Sequence, residues 1–160
     1  MENNVIKVGM ADYKVGSAPA KLITLGLGSC IGITLYDKRK KAGGMAHIML
    51  PKNNTKDQNS LKFADTAITL MIKDLEKMGL NKRNMEAKIA GGAQMFSFGK
   101  SDQLNSIGSR NAIAVKEILK ENNIRIVAED TGGNKGRTIE LDLDTGKLRI
   151  KTIGQGETYI

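Results

Sequence analysis

Apolar and polar residues alternate with two different periods along this chain. Leu22–Leu25, Ile31–Tyr36 and Met45–Leu50 carry the period-two pattern of strands, with Ile31, Ile33 and Leu35 on one face and Gly32, Thr34 and Tyr36 on the other. Pro51 ends the third strand. After the polar segment Lys52–Ser60, residues Leu61, Ala64, Ile68, Met71, Ile72 and Leu75 recur at helical spacing, and Gly79 is placed to terminate that helix. Ala87–Ala90 reads as a short buried strand entering Gly91-Gly92. A second helix is predicted from about Ser109, as N-cap, to Glu121, with Ala112, Val115 and Leu119 facing inward. Ile124–Ala128 follows as a strand, and then a turn-rich stretch from Asp130 to Gly136. A hairpin of Thr138–Leu143 with Lys147–Ile153 closes around Asp144-Thr145-Gly146.

Strands outnumber helices and gather at both ends of the chain, which excludes regular βαβ alternation. The pattern predicts an α+β fold, a layered α/β sandwich with mixed β-sheets and two main helices. No internal repeat interrupts it, and no linker rich in Pro, Gly or Ser divides it, so residues 1–160 are expected to form one domain. A length of 160 residues with 40% hydrophobic and 26% charged residues supports a single real core. The apolar runs are far too short to cross a bilayer, and Met1-Glu2-Asn3-Asn4 lacks the basic start and apolar run of a signal peptide, so a cytoplasmic location is expected.

The formal net charge of +8 raises the question of an acidic partner. Nucleic acid is disfavoured: three Phe, three Tyr and no Trp offer few stacking platforms, and no zinc-finger spacing or RNP-like motif is present. The densest basic run, Lys38-Arg39-Lys40-Lys41, reads as a solvated hairpin tip. No cofactor is expected. Gly26-Leu27-Gly28 lacks the third glycine of a dinucleotide fingerprint, and Gly132-Gly133-Asn134-Lys135-Gly136 lacks the Gly-Lys-Ser/Thr ending of a phosphate loop. One Cys and one His do not make a structural zinc set.

That single thiol and single imidazole, Cys30 and His47, are the chain's candidates for chemistry. A cysteine amidase or peptidase needs one of each, brought together by the fold and not by adjacency. With one cysteine no intrachain disulfide forms, and the thiol is free to react. Gly26 and Gly28 leave the amides near Cys30 uncovered by side chains, as an oxyanion hole requires. The alternative is a buried, inert cysteine and a satisfied core histidine in a non-enzymatic binding module.

Five segments add specificity: Thr24-Leu25-Gly26-Leu27-Gly28-Ser29-Cys30, Met45-Ala46-His47-Ile48-Met49-Leu50-Pro51, Lys62-Phe63-Ala64-Asp65-Thr66-Ala67, Ala87-Lys88-Ile89-Ala90-Gly91-Gly92-Ala93 and Glu129-Asp130-Thr131-Gly132-Gly133-Asn134. In this order, from about Tyr13 to Ile150, they resemble the chemoreceptor glutamine deamidase family, CheD. The resemblance implies an α/β sandwich and a cysteine hydrolase that converts glutamines of methyl-accepting chemotaxis receptors to glutamates. It implies Cys30 as nucleophile, His47 as base and Thr24 as third member, and it implies association with the CheC phosphatase. An imidazole beside Cys30 is expected to hold it as a thiolate at neutral pH. Read from the residues alone, Thr24 is better taken as an ordinary β-branched strand residue, and Asp130–Arg137 is equally a substrate groove or a hairpin turn. Cysteine chemistry on another amide or peptide also stays open on the residues alone.

Overall fold

A computed structural model describes residues 4–94 and 106–160. Met1 to Asn3, where the expectation about a signal peptide partly rests, lie outside the described residues. The strands are β1 (Val5–Lys7), β2 (Asp12–Ser17), β3 (Lys21–Leu27), β4 (Ile31–Asp37), β5 (Ala42–Ile48), β6 (Glu86–Gly91), β7 (Arg125–Thr131), β8 (Arg137–Asp142), β9 (Leu148–Thr152) and β10 (Gly156–Tyr159). The two helices are α1 (Ala64–Lys77) and α2 (Ile107–Glu121). One sheet has the order β1-β3-β8-β9-β10 and the other β2-β5-β4-β6-β7. Both are mixed, because β1 runs parallel to β3 and β6 parallel to β7 while the remaining pairs are antiparallel. The layered α+β sandwich expected from the sequence is therefore present.

The layering follows from β4 and β5, whose residues are buried on both faces. Ile31, Ile33 and Leu35 join Ala64, Ile68, Met71, Ile72 and Leu75 of α1 and Val115, Ile118 and Leu119 of α2 in one apolar cluster. On the opposite face, Tyr36 and Met45 join Leu22, Leu27, Ile139, Leu141 and Ile150 of the first sheet in a second cluster. The molecule is thus sheet, sheet, helices, and β4–β5 is the shared middle layer. Gly32 permits the close approach of the two sheets, since a Cβ there would lie 2.5 Å from Ile139 Cδ1.

Helix α1 begins three residues after Leu61 because Phe63 forms a parallel bridge with Leu50, which keeps residues just ahead of the helix extended. Leu61 still packs on the helix-side cluster. The helix start has no side-chain cap; the Ala64 N–H donates to the Leu50 and Pro51 carbonyls at 3.0 and 2.8 Å. Asp65 and Thr66 anchor the polar loop, accepting from the Asn53 backbone and side-chain amides at 2.9 and 3.0 Å. Gly79, with φ +96°, follows the C-cap as expected.

The N-cap of α2 is Ser106 and not Ser109. Ser109 is the third helical residue, and its N–H is one of the unpaired amides of the first turn, donating to Ser106 Oγ at 3.1 Å. Ala112 is only half-buried, while Gly108 and Asn111 occupy the inward stripe with Val115 and Leu119. β1, β2 and β10 were not marked by periodicity: β1 and β10 are short, and β2 reads Asp-Tyr-Lys-Val-Gly-Ser, polar enough for an edge strand. Among the described residues no helix is long and apolar enough to cross a membrane.

Met71 is fully buried between α1 and the middle layer. Met71→Ala is expected to cost about 2–5 kcal/mol in urea unfolding, whereas Met78→Ala, at an exposed position, should stay within about 0.5 kcal/mol. Equal losses in the two variants would contradict this placement of the core.

Candidate active site

Thr24 lies on β3 in the outer sheet and His47 on β5 in the middle layer, yet their side chains meet across the inter-sheet space, Thr24 Oγ1 to His47 Nδ1 at 2.7 Å. The Thr24 hydroxyl also lies 2.8 Å from the Val8 carbonyl. A carbonyl only accepts, so the single hydroxyl proton is directed to Val8 and the oxygen is left to accept from Nδ1–H. The hydrogen-bond chain runs from His47 to Thr24 to Val8 and calls for a proton on Nδ1, which in the neutral ring selects that tautomer. Nε2 then carries the free lone pair. It is buried and has no hydrogen-bond partner among the described residues.

Cys30 immediately precedes β4 and is two residues from Gly32, which is paired with His47. Its side chain belongs to the inter-sheet cluster, so thiol and imidazole occupy the same face of the middle layer. No hydrogen bond joins them among the described residues, since Nδ1 is taken by Thr24 and Nε2 has no partner there. Such bonds are commonly long before substrate is bound. Thr24 and His47 are each 1% exposed and Cys30 8%, so the pair is almost dry.

Dryness sets the electrostatics. Burial pushes the Cys30 thiol above its ordinary value, opposed by its own backbone amide, and pushes the His47 imidazole below its ordinary value. Both shifts favour neutral groups. These directions run against the thiolate expected at neutral pH, and their cause is desolvation by burial.

The backbone around Cys30 is tightly braced. Its carbonyl accepts from the Gly92 N–H at 2.9 Å, and the Gly28 carbonyl accepts from the Ala93 N–H at 2.8 Å. Gly91, at φ +111°, permits this approach: a Cβ there would lie 2.2 Å from the Cys30 carbonyl oxygen. Of the amides expected to bind an oxyanion, that of Gly28 is committed to the Gly26 carbonyl at 3.1 Å. The Cys30 N–H faces its own sulfur.

The residues of Asp130–Arg137 have different surroundings. Thr131, Gly132, Gly133 and Asn134 line a cleft of about 600 Å³ against Ser109, Ala112 and Lys116 of α2. Arg137 is buried and structural, donating to the Gly91 and Gly132 carbonyls at 3.2 and 2.8 Å and pairing with Asp130 at 3.4 Å. The cleft abuts the site through Gly92, although neither Cys30 nor His47 lines it. Among the described residues no group of three or more His, Cys, Asp and Glu is arranged to hold a metal ion.

Sequence reasoning missed Asn111. It is fully buried on α2, and its Nδ2 donates to the Ser29 carbonyl at 2.9 Å and the Met49 carbonyl at 3.0 Å. The available signal was an amide on an apolar helix stripe, which must find partners once buried.

Comparison with known proteins bears on the family of the whole chain. A family model described as CheD chemotactic sensory transduction matches residues 49–152. The chain is 54% identical over 158 residues to the probable chemoreceptor glutamine deamidase CheD of Clostridium kluyveri, covering 98% of each. It is 52% identical over 162 residues to the protein of the same name from Caldanaerobacter subterraneus subsp. tengcongensis, covering 100% of each. It is 55% identical over 161 residues to that of Clostridium botulinum strain Eklund 17B, covering 98% of each. Identity at this level over the whole chain, together with the family match over most of it, makes this chain a member of the CheD family.

Proposed function

We propose that this chain hydrolyses the side-chain amide of selected glutamines in the cytoplasmic region of methyl-accepting chemotaxis receptors, with Cys30 as nucleophile, His47 as general base and acid, and Thr24 as the residue that orients the imidazole. The activity is that of a protein-glutamine glutaminase, in keeping with the names of relatives that match the full chain. One observation carries the assignment of roles: the hydrogen-bond chain from His47 through Thr24 to Val8, which leaves a buried Nε2 with no partner among the described residues, on the face that also holds the only thiol of the sequence.

The chemistry follows from two neutral groups. As Sγ attacks the amide carbon, its proton passes to Nε2, so the thiolate forms only as the new bond forms. The tetrahedral oxyanion is met by backbone amide, for which the Cys30 N–H is the nearest in the chain. Imidazolium returns the proton to the departing nitrogen, and ammonia leaves a thioester. Water attacks the thioester as Nε2 takes its proton, and collapse of the second oxyanion releases glutamate and the thiol. Thr24 adds no negative charge to the imidazolium. Its contribution is orientation, supported by the Val8 carbonyl dipole behind it. Association with the CheC phosphatase forms part of this reading and rests on the family resemblance alone.

Incubation with a receptor cytoplasmic fragment, read by mass spectrometry, should give the amide-to-acid mass change at glutamine without chain cleavage. Cys30→Ala and His47→Ala should abolish it, because the chain holds no second thiol or imidazole. Cleavage of the fragment, or full turnover by Cys30→Ala, would overturn the reading. Thr24→Val keeps the β-branched shape and removes the hydroxyl, and a drop of about 10- to 1,000-fold in the deamidation rate is expected. A folded Thr24→Val protein with wild-type turnover would reduce the site to a Cys30–His47 dyad.

The pKa directions also predict a stability profile. His47 holds its proton less readily folded than unfolded, so its contribution is present above its ordinary value of 6.5 and is lost as pH falls below it. Cys30 holds its proton more firmly when folded, so its contribution is present below 9.0 and is lost as pH rises above it. Thermal unfolding across pH should therefore show a flatter acid limb in His47→Gln and a flatter alkaline limb in Cys30→Ala than in the wild type. Curves parallel to the wild type in both variants would contradict the neutral pair.

A further inference from the structure

We infer that Asn111 is a positioning residue for the Cys30–His47 pair: its side-chain amide ties together the two backbone segments that carry the thiol and the imidazole. The inference rests on the catalytic roles proposed above.

The argument starts from what the two bonds join. Ser29, whose carbonyl accepts one N–H of Asn111, is the residue before Cys30; Met49, whose carbonyl accepts the other, lies two residues beyond His47. Both segments have just left the sheet. The last ladder pair between β4 and β5 is Ile31 with Ile48, so beyond it no direct strand pairing is present to set the distance from the residue before β4 to the residue after β5. Asn111 supplies that link from the helix layer, one donor to each side.

The helix that carries Asn111 is itself seated on the same backbone. Gly108, one turn earlier, lies so close to Gly92 and Ala93 that a Cβ would meet their carbonyl oxygens at 2.5 and 2.6 Å. Gly92 and Ala93 in turn donate to the Cys30 and Gly28 carbonyls. Helix α2 therefore grips the Cys30 loop at two levels, and Asn111 is the level that also reaches the His47 strand.

General packing does not explain the choice of residue. The inward stripe around it is Val115, Ile118 and Leu119, and an aliphatic side chain would fill the position without burying an amide. Oδ1 is buried and has no hydrogen-bond partner among the described residues, so the amide is held there for its two donors and not because every polar atom is satisfied. Two divergent donations from one planar amide nitrogen fix a separation and an angle, which is what a thiol and an imidazole without a mutual hydrogen bond require.

The test is steady-state deamidation of a receptor cytoplasmic fragment by Asn111→Ala and Asn111→Ser, at a temperature where circular dichroism shows each fully folded. Asn111→Ala should lose about 10- to 100-fold in kcat with KM changed less than about 3-fold, because the reacting groups drift while the substrate surface stays. Asn111→Ser keeps one hydroxyl donor and should recover part of that loss; it is the variant read if Asn111→Ala does not fold. Thr34→Val is the structural control. It deletes a hydrogen bond to the Lys88 carbonyl from a residue of β4 that is 1% exposed, and should lower the melting temperature and leave kcat unchanged. Wild-type kcat in the Asn111 variants, or an equal kcat loss in Thr34→Val, would overturn the inference. Cys30→Ala in the same assay separates the two levels: if it is inactive while the Asn111 variants are normal, the positioning role fails and the catalytic roles stand.

Discussion

The hydrogen-bond chain from His47 through Thr24 to Val8 crosses between two sheets, and most of the architecture around it is what that crossing requires. Thr24 is held by β3 in the outer sheet, His47 by β5 in the middle layer, and Val8 by its own N–H bond to the Ile23 carbonyl. Two sheets packed about 10 Å apart bring short polar side chains into contact only where the neighbouring residues are small. Gly32, opposite His47 on β4, provides that space, and Ile139 of the outer sheet fills it. A hydroxyl and an imidazole buried this completely are out of reach of bulk water, so the chain of bonds is enforced by their burial.

The same burial decides the charge state. A carboxylate in place of Thr24 would stabilise imidazolium but would itself be costly in so dry a space. A hydroxyl backed by a carbonyl keeps the ring oriented and neutral. In the proposed mechanism the lone thiol and lone base are then both held uncharged, with proton transfer deferred to the moment of attack. That storage contributes to stability between the ordinary pKa values of the two groups, where neither must carry charge in the fold.

Much of this was legible in the chain. The two-sided burial of β4 was written in the alternation of Ile31, Ile33 and Leu35 with Gly32, Thr34 and Tyr36, and each set faces its own cluster in the structure. The α1 stripe, its glycine stop and the terminal hairpin were equally clear, because each combines periodicity with turn chemistry. What escaped was set by tertiary contact. Ser109 looked like a cap, but the chain enters α2 from Ser106. The commitment of the Gly28 amide to the Gly26 carbonyl and the desolvation of Cys30 depend on packing that no local pattern encodes. Asn111 gave only a weak sign, a single amide among apolar residues, and its partners lie 82 and 62 positions away along the chain.

With one histidine in the chain, the nitrogen resonances of a single imidazole report directly on this site. Long-range proton–nitrogen correlation of the uniformly labelled protein at pH 7 distinguishes the two neutral tautomers from each other and from imidazolium. The hydrogen-bond chain to Val8, together with the burial that disfavours imidazolium, predicts the neutral ring with its proton on Nδ1 and an unprotonated Nε2, and predicts that Thr24→Val disturbs this pattern. A proton on Nε2 alone, or a fully protonated ring at that pH, would contradict it.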